Sequence, residues 1–481
     1  MSTPPLASGP AGPQALGPLL ETTLDAVRDG TRRRGGPFPA GGPAEVAARL
    51  RHALGDVLPE EGDPEALRLL VRALAEGSAD PADPLCAAHL HCPPLAVAAA
   101  ADLAASVLNP SLDSWDQAPA ASELEELVTR SLATEVYADV PGGAGLYRFA
   151  APPRGATSHD ASAPNNAPDA LVTTGGTESN QLALLLARET LDAGVRLVCG
   201  ANAHHSLPRA AWLLGLPDPV IIPAPAGTLD PTALDAALSK LPGPHLVAAT
   251  AGTTDAGLID PLPEIAAVCQ THRARLHIDA AYGGGLLFSD SQRAKLTGIG
   301  AAHTVTLDLH KLGWQPVAAG ILAVRERSDL AALHQRADYL NADDDTEAGL
   351  PDLLGRSLRT TRRPDVLKIA VTLKTLGRTG LGALVDQVCA RAREFSDLIA
   401  AHPRFELYDT PTISTVLFRP AHATDDDIAA VRRTLLATGR AVLGRARLDG
   451  RLWLKATILN PHTRPDDLAA LLKLVEGTTP R

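Results

Sequence analysis

The chain has 481 residues, 45% of them hydrophobic and 21% charged, which suits a globular protein of two or three domains and excludes a fibrous or wholly disordered one. A formal net charge of -11 with no basic stripe sets aside nucleic acid and anionic membrane as partners. Five scattered cysteines (Cys86, Cys92, Cys199, Cys269 and Cys389) form no C-x-x-C pair, so neither a disulfide framework nor a structural zinc site is expected and a reducing, cytoplasmic setting is the simplest expectation.

In chain order, Met1 to Leu16 has no basic start leading into an apolar core, so no secretory leader is expected. Residues 1–45 are rich in Gly, Pro and Ala; the first 15 or so read as a mobile tail and the rest as irregular. Apolar residues then recur at helical spacing from Pro43 to Glu76 (Val46, Leu50, Leu54, Leu67, Leu70, Val71, Leu74), and Leu95–Leu108 and Glu123–Leu132 predict further helices. Leu95–Leu108 is too short to span a bilayer and is interrupted by Asp102. In the middle, short β-type runs alternate with helical stretches: Ala170–Thr174, Arg196–Cys199, Val220–Pro223, His245–Thr250, Arg275–Asp279, Thr304–Leu307 and Gly320–Val324. Such alternation predicts an α/β domain with a mostly parallel sheet, whose ligands sit at the carboxyl ends of the strands. After Arg363 a helix over Leu367–Ile399, strands at Phe405–Tyr408, Ser414–Phe418 and Leu452–Ile458, and helices at Asp425–Ala437 and Arg464–Glu476 predict a small α+β domain. The expected division is an N-terminal helical segment 1–105, a large domain 106–365 and a small domain 366–481.

The polar clusters fall where those strands end. Lys311, in Asp308-Leu309-His310-Lys311, follows an apolar strand; a lysine there is costly unless paired or used covalently, and a Schiff base would meet that demand. Asp279, 32 positions earlier in His277-Ile278-Asp279-Ala280-Ala281-Tyr282, could hold a pyridine nitrogen protonated. Thr174-Gly175-Gly176-Thr177-Glu178-Ser179-Asn180 lies between a strand and a helix. Its glycines and Thr177 suit an anion, without the lysine of a Walker loop. His204, in Ala203-His204-His205-Ser206, could stack on a conjugated ring, with the small Ala281 leaving room on the other face. Thr253 and Thr254 offer hydroxyls. Each feature alone is as well explained by an ordinary turn, cap or core residue; their order along the chain is what carries the reading. Neither H-E-x-x-H nor G-x-S-x-G is present at these positions, so zinc and serine hydrolases fit poorly.

Taken together these segments resemble the group II pyridoxal-phosphate decarboxylases. The resemblance runs from about residue 85 to the C-terminus and implies a fold type I, aspartate aminotransferase-like architecture, pyridoxal 5'-phosphate (PLP) as cofactor and a homodimer with shared active sites. It assigns cofactor binding to Gly176, Thr177, His204, Thr254, Asp279, Ala281, His310 and Lys311, and catalysis to Lys311, His204 and Asp279. Within the group the chain is most similar to bacterial L-2,4-diaminobutyrate and siderophore-pathway decarboxylases. The matching stretches are Ala88–Pro94, Leu108–Pro119, Asp308–Lys311 with Trp314-Gln315-Pro316, Arg336–Asn341, Ser357–Lys368, and Leu454-Lys455 with Asn460-Pro461. Three departures stand out: Leu353 falls where aromatic decarboxylases carry a loop tyrosine, leaving His204 as candidate proton donor; Pro364 follows Arg362-Arg363; and Lys455 replaces a usual arginine.

The expected reaction is decarboxylation of an L-amino acid to an amine and CO2. A diamino acid is the expected substrate, 2,4-diaminobutyrate first, then lysine or ornithine, with Ser111, Asp113, His91, Cys92 and Lys455 as pocket residues. Asp113 would pair with a distal ammonium, although a solvated loop aspartate is an equally ordinary role for it. Aromatic or acidic amino-acid decarboxylation, an oxidative aldehyde-forming reaction or transamination would use the same fold, and a non-catalytic homologue is a further alternative.

Overall fold

The computed structural model describes residues 4–138, 166–191, 194–342, 344 and 347–479. They group into two units, Pro94–Gln387 and a second made of Met1–Pro93 together with Val388–Arg481.

The Pro94–Gln387 unit is built on a seven-stranded sheet of β1 (Asp169–Thr173), β2 (Arg196–Gly200), β3 (Val220–Ile222), β4 (His245–Thr250), β5 (Arg275–Ala280), β6 (Thr304–Asp308) and β7 (Gly320–Val324), in the order β1-β7-β6-β5-β4-β2-β3. β3, β2, β4, β5 and β6 pair in parallel, whereas β7 runs antiparallel to both β6 and β1. The sheet is thus mixed, with one reversed strand that apolar periodicity does not reveal. β1, β4, β5, β6 and β7 are buried along their whole length, as strands covered on both faces must be. The two-residue period of β5 puts Arg275, His277 and Asp279 on one face and Leu276, Ile278 and Ala280 on the other. β6 does the same with Thr304, Thr306 and Asp308, and the register sets His277 beside Thr304 and Asp279 beside Thr306. A polar stripe therefore runs through the core, ending in two carboxylates at the carboxyl ends of adjacent strands.

The helices preceding and covering this sheet are α4 (Ala96–Leu108), α5 (Pro119–Val136), α6 (Gly176–Leu191), α7 (Ser206–Leu213), α8 (Pro231–Leu238) and α9 (Leu262–Thr271). A single turn, α10 (Leu309–Leu312), follows β6, and α11 (Asp338–Asn341) is another short turn. α6 packs its Leu182 and Leu186 on Leu171 and Leu322, and its Leu184 with Leu197, Leu207 and Leu246. A buried ion pair ties α5 to the segment before the next helix: Arg362 donates from both terminal nitrogens to Glu125, at 2.8 and 3.0 Å. Arg362→Ala strands the Glu125 carboxylate in the core and is expected to cost about 3–5 kcal/mol. Chemical denaturation reads this, and a loss below about 1 kcal/mol would show that water reaches the site.

In the other unit α1 (Gly12–Arg34), α2 (Gly42–Leu54) and α3 (Ala66–Gly77) form a helical layer. α1 corrects the reading of residues 1–45 as tail and irregular chain. Composition misled because Pro13 sits in the first turn, where its missing N–H costs nothing, and because Gly30 serves packing. A Cβ at Gly30 would lie 2.4 Å from the Arg72 carbonyl oxygen, so the glycine lets α1 and α3 approach closely. The C-terminal portion is a four-stranded antiparallel sheet of β8 (Phe405–Leu407), β9 (Thr415–Pro420), β10 (Gly444–Leu448) and β11 (Arg451–Thr457), in the order β10-β11-β9-β8. The part of α12 (Val366–Ala400, kinked at Gly377) from Val388 onward, α13 (Asp425–Ala437) and α14 (Pro465–Thr478) accompany it. Phe395, Phe418, Leu435, Leu454 and Leu471 share the core of this unit. β10 escaped the sequence reading because Arg445 and Arg447 face solvent on an edge strand, where charge is the usual guard against further pairing. Among the described residues no helix is long and apolar enough to cross a membrane.

Candidate active site

The strand ends gather the polar groups. Asn180, in the first turns of α6, is buried, and it organises everything around it. Its Nδ2 donates to Asp279 Oδ2 (2.8 Å) and to Ser206 Oγ (2.9 Å), and its Oδ1 accepts from Thr306 Oγ1 (2.9 Å) and meets His277 Nε2 at 3.0 Å. A carboxylate only accepts, so this amide has one orientation, and all four of its hydrogen-bonding positions are used. His277 therefore donates from Nε2, and its Nδ1 takes the Thr304 hydroxyl at 2.9 Å. Asp279 receives a second hydrogen bond, from Ala281 N to Oδ1 (3.1 Å). It is thus fixed by two donors at the end of β5.

The same Asn180 sets His204. Ser206 N donates to His204 Nδ1 at 3.3 Å, which makes that atom an acceptor, so the Ser206 hydroxyl, which accepts from Asn180, gives its own proton to the same Nδ1 at 2.8 Å. Nδ1 is an acceptor, so neutral His204 carries its proton on Nε2. Burial lowers the pKa of His204, against the opposing pull of the Asp279 charge, and the Lys311 and Asp308 charges act on the same ring. That shared field places His204, Asp279, Asp308 and Lys311 in one neighbourhood.

Lys311 stands on α10 with Nζ 3.0 Å from Asp308 Oδ2. His310 accepts at Nδ1 from Ala319 N (3.2 Å), and its Nε2 lies 3.5 Å from Asp308 Oδ2. The Gly175-Gly176 turn faces this group. Gly175 has a positive φ of 150°, and a Cβ on it would lie 2.9 Å from His310 Cε1; one on Gly176 would lie 3.0 Å from Ala281 Cβ and 3.2 Å from Asp308 Oδ2. Only glycine leaves space there. Glu178 Oε2 accepts from both Thr174 N (2.6 Å) and Thr174 Oγ1 (2.7 Å), locking the turn at the head of α6, and Thr177 is exposed.

Of the residues expected from sequence, the structure therefore brings together Gly176, His204, Asp279, Ala281, His310 and Lys311. Thr254 lies in an exposed turn, while its neighbour Thr253 is buried and accepts from Leu258 N at 3.0 Å. Ser111 Oγ and Asp113 Oδ1 are buried atoms without a hydrogen-bond partner among the described residues; the other Asp113 oxygen faces Thr361 Oγ1 at 3.5 Å. Leu353 is buried with Leu112 and Ala118, an apolar anchor beneath this loop. His91, Cys92 and Lys455 belong to the other unit, where Cys92 and Lys455 are buried. Sequence reasoning missed Asn180, Ser206, His277 and Asp308 as working parts. The available signal was the period-two polar face of β5 and β6, which needs a polar partner from the covering helix.

The arrangement fits a phosphorylated pyridine aldehyde. It holds an anion turn at a helix N-terminus with no Cβ in the way, a doubly seated carboxylate and a lysine beside them. His277 also leaves a measurable trace. Burial pushes its pKa from 6.5 down to about 4, opposed by the Asp279 charge. Between those values the unfolded chain takes up a proton that the folded chain refuses, so stability is full above 6.5 and is lost as pH falls toward about 4. Denaturation at pH 7 and pH 5 should show this loss, with a flatter acid limb in His277→Gln. His303, held down to about 3 by burial and then by Arg325, affects both proteins alike. Parallel acid limbs in the two proteins would remove His277 from the account.

Residues 156–421 match the pyridoxal-dependent decarboxylase conserved domain. The chain is 39% identical to the L-2,4-diaminobutyrate decarboxylase of Rhizobium meliloti (strain 1021), with 88% of this chain and 84% of that protein covered. It is 31% identical to the protein of the same name from Acinetobacter baumannii, over 86% and 83%. Among solved structures it resembles the glutamate decarboxylase domain of diaminobutyrate-pyruvate transaminase and L-2,4-diaminobutyrate decarboxylase from Vibrio parahaemolyticus. That likeness has a TM-score of 0.81 and 29% identity and covers 98% and 97% of the two chains. With the lysine, the seated carboxylate and the glycine turn assembled at the strand ends of a fold type I sheet, this chain belongs to the pyridoxal-dependent decarboxylase family and is a PLP-dependent amino-acid decarboxylase.

Proposed function

We propose that the substrate is L-2,4-diaminobutyrate, that Lys311, Asp279 and His204 carry the chemistry, and that the working form is a homodimer. What carries the substrate reading is similarity along nearly the whole chain to two proteins named for that activity. The pair of buried, unpartnered oxygens on Ser111 and Asp113 supports it, because a second ammonium on the substrate supplies the donors they lack.

Bound at the glycine turn, PLP supplies a sink for the electron pair left behind when CO2 departs. Gly175, Gly176 and Thr177 would hold the phosphate end with backbone and hydroxyl donors. Asp279, fixed by Asn180 and Ala281, would present a negative charge to the ring nitrogen and so favour a proton on it. His204 lies in the field of the same carboxylate and offers an N–H at Nε2, positioned by Ser206, as donor of the proton that replaces CO2. Ala281, close beside Gly176, would bring only a methyl group toward a flat ring.

A panel of L-amino acids scored for CO2 and for the amine product tests the reading. 2,4-Diaminobutyrate is expected to give the highest kcat/KM; a preference for an aromatic or acidic amino acid would overturn it. Asp113→Leu should raise KM for the diamino acid by about tenfold to a hundredfold, the loss of one charged hydrogen bond, with little change in kcat. An unchanged KM removes Asp113 from the pocket. Light scattering should give twice the 50.0 kDa chain mass for a homodimer.

A further inference from the structure

The glycine turn is fastened on both flanks by one irregular segment that lies far along the chain. Arg356 donates to Asp169 Oδ2 and to the Ala170 carbonyl oxygen, each at 2.6 Å, and so grips β1, the strand that leads into the turn. Three residues on, Arg359 Nε stands 3.3 Å from Glu178 Oε1, in the first turn of α6, the helix that leads out of it. Glu178 is the residue whose other oxygen, Oε2, accepts from both Thr174 N and Thr174 Oγ1. Its side chain is only 14% exposed, and that of Arg359 is 35% exposed. Arg359 Nε is itself buried and lacks the angle of a hydrogen bond, so the contact is one of charge more than of direction. Thr174 N is thus taken up by Glu178, whereas the N–H groups that open α6 at Gly176 and Thr177 have no acceptor within the helix.

We propose that Arg359 is a positioning residue for the cofactor phosphate, acting through Glu178. This role rests on the reading that Gly175, Gly176 and Thr177 hold the phosphate end. A carboxylate in the first turn of a helix competes with any other anion for the same partial positive charge. Glu178 is nevertheless required there, because it closes the turn on Thr174. Its charge has to be offset without a cation occupying the place of the anion. Arg359 does this at Oε1, the oxygen that Thr174 leaves unused, and Arg356 holds the segment that carries it against β1. The pair keeps the turn closed and removes the net repulsion that an unpaired Glu178 would exert on a phosphate at the head of α6. Arg359 thereby favours the phosphorylated cofactor without touching it.

The test titrates the full chain, stripped of cofactor, with PLP and with pyridoxal, which has the aldehyde but no phosphate. Binding is followed by the absorbance and fluorescence of the ligand, so no turnover is needed. Arg359→Gln is expected to weaken PLP binding by roughly tenfold or more, the loss of one charged contact. Pyridoxal binding should change by no more than about twofold, the range of an ordinary surface substitution, and so reports that the variant is folded. Arg359→Lys should recover most of the PLP affinity, because a point charge can serve where the contact is not a directed fork. Adding Glu178→Gln to Arg359→Gln should tighten PLP binding relative to Arg359→Gln by itself, because the unpaired charge is gone. The proposal is overturned if Arg359→Gln leaves PLP affinity unchanged, if it weakens both ligands equally, if lysine does no better than glutamine, or if the double variant is no tighter. Gly176→Ala and Thr177→Val, the second at an exposed position, test the turn itself. If neither alters the wild-type preference for PLP over pyridoxal, the turn does not hold the phosphate and that reading falls, with the role of Arg359. If either removes the preference while Arg359→Gln keeps it, the reading of the turn stands and only the role of Arg359 is refuted.

Discussion

Lys311→Ala is expected to reduce decarboxylation by at least about four orders of magnitude, some 5.5 kcal/mol of transition-state stabilisation. The physical reason is that no other side chain described at the strand ends offers a primary amine to the cofactor aldehyde. His310 and His204 offer imidazoles, and Asp279 and Asp308 offer carboxylates. The substitution also leaves Asp308 without the ammonium 3.0 Å away. A stability change is therefore measured alongside: a variant that melts like the wild type but has lost turnover and borohydride labelling meets the expectation. Turnover retained within about a hundredfold (about 2.7 kcal/mol) would send the search to another lysine.

Asp279→Asn is expected to lower kcat by about a thousandfold, near 4 kcal/mol, while the protein still folds and still binds cofactor. The exchange is nearly isosteric. The new amide oxygen can accept from Asn180 Nδ2 or from Ala281 N but not from both, so one hydrogen bond of the seat is lost together with the charge. Without that charge, nothing retains the proton on the ring nitrogen, and the electron sink weakens where the transition state draws on it. Because the interaction matters when electrons are being withdrawn, KM should move far less than kcat. A near-normal kcat would show that the carboxylate at position 279 is a structural cap. Asn180→Ala is the natural companion. It removes the donors that hold Asp279 and Ser206 together and should perturb His204 as well, which a single cap could not do.

Much of this architecture is written in local pattern. His245–Thr250 and Gly320–Val324 are bounded in the sequence as they are in the fold, because a short apolar run between turn residues has few other stable uses. Asp425–Ala437 is equally legible, since Thr424 and Asp427 form a capping box at its start. Local pattern failed where a long-range partner decides. α1 is carried by its packing on α3, and β10 by pairing with β11, and neither leaves a strong signature in its own composition. The reversal of β7 is a matter of how the chain returns after α10, which the periodicity of Gly320–Val324 cannot express.

The sequence by itself determined the inventory of the site. A lysine, an aspartate, a glycine turn and a histidine stand in a fixed order, each at the end of a strand-like run, because the alternation of strands and helices forces strand ends to one edge of a parallel sheet. Only the tertiary structure decided how those groups are held. Asn180 joins Asp279 to His204 through Ser206, across separations of 99 and 26 residues, and the β5–β6 register puts His277 and Thr306 on the same amide. A buried hydrogen-bond network is set by the meeting of one helix with two strands in a low-dielectric core, where every donor must find its acceptor, and that meeting is a property of the folded chain alone.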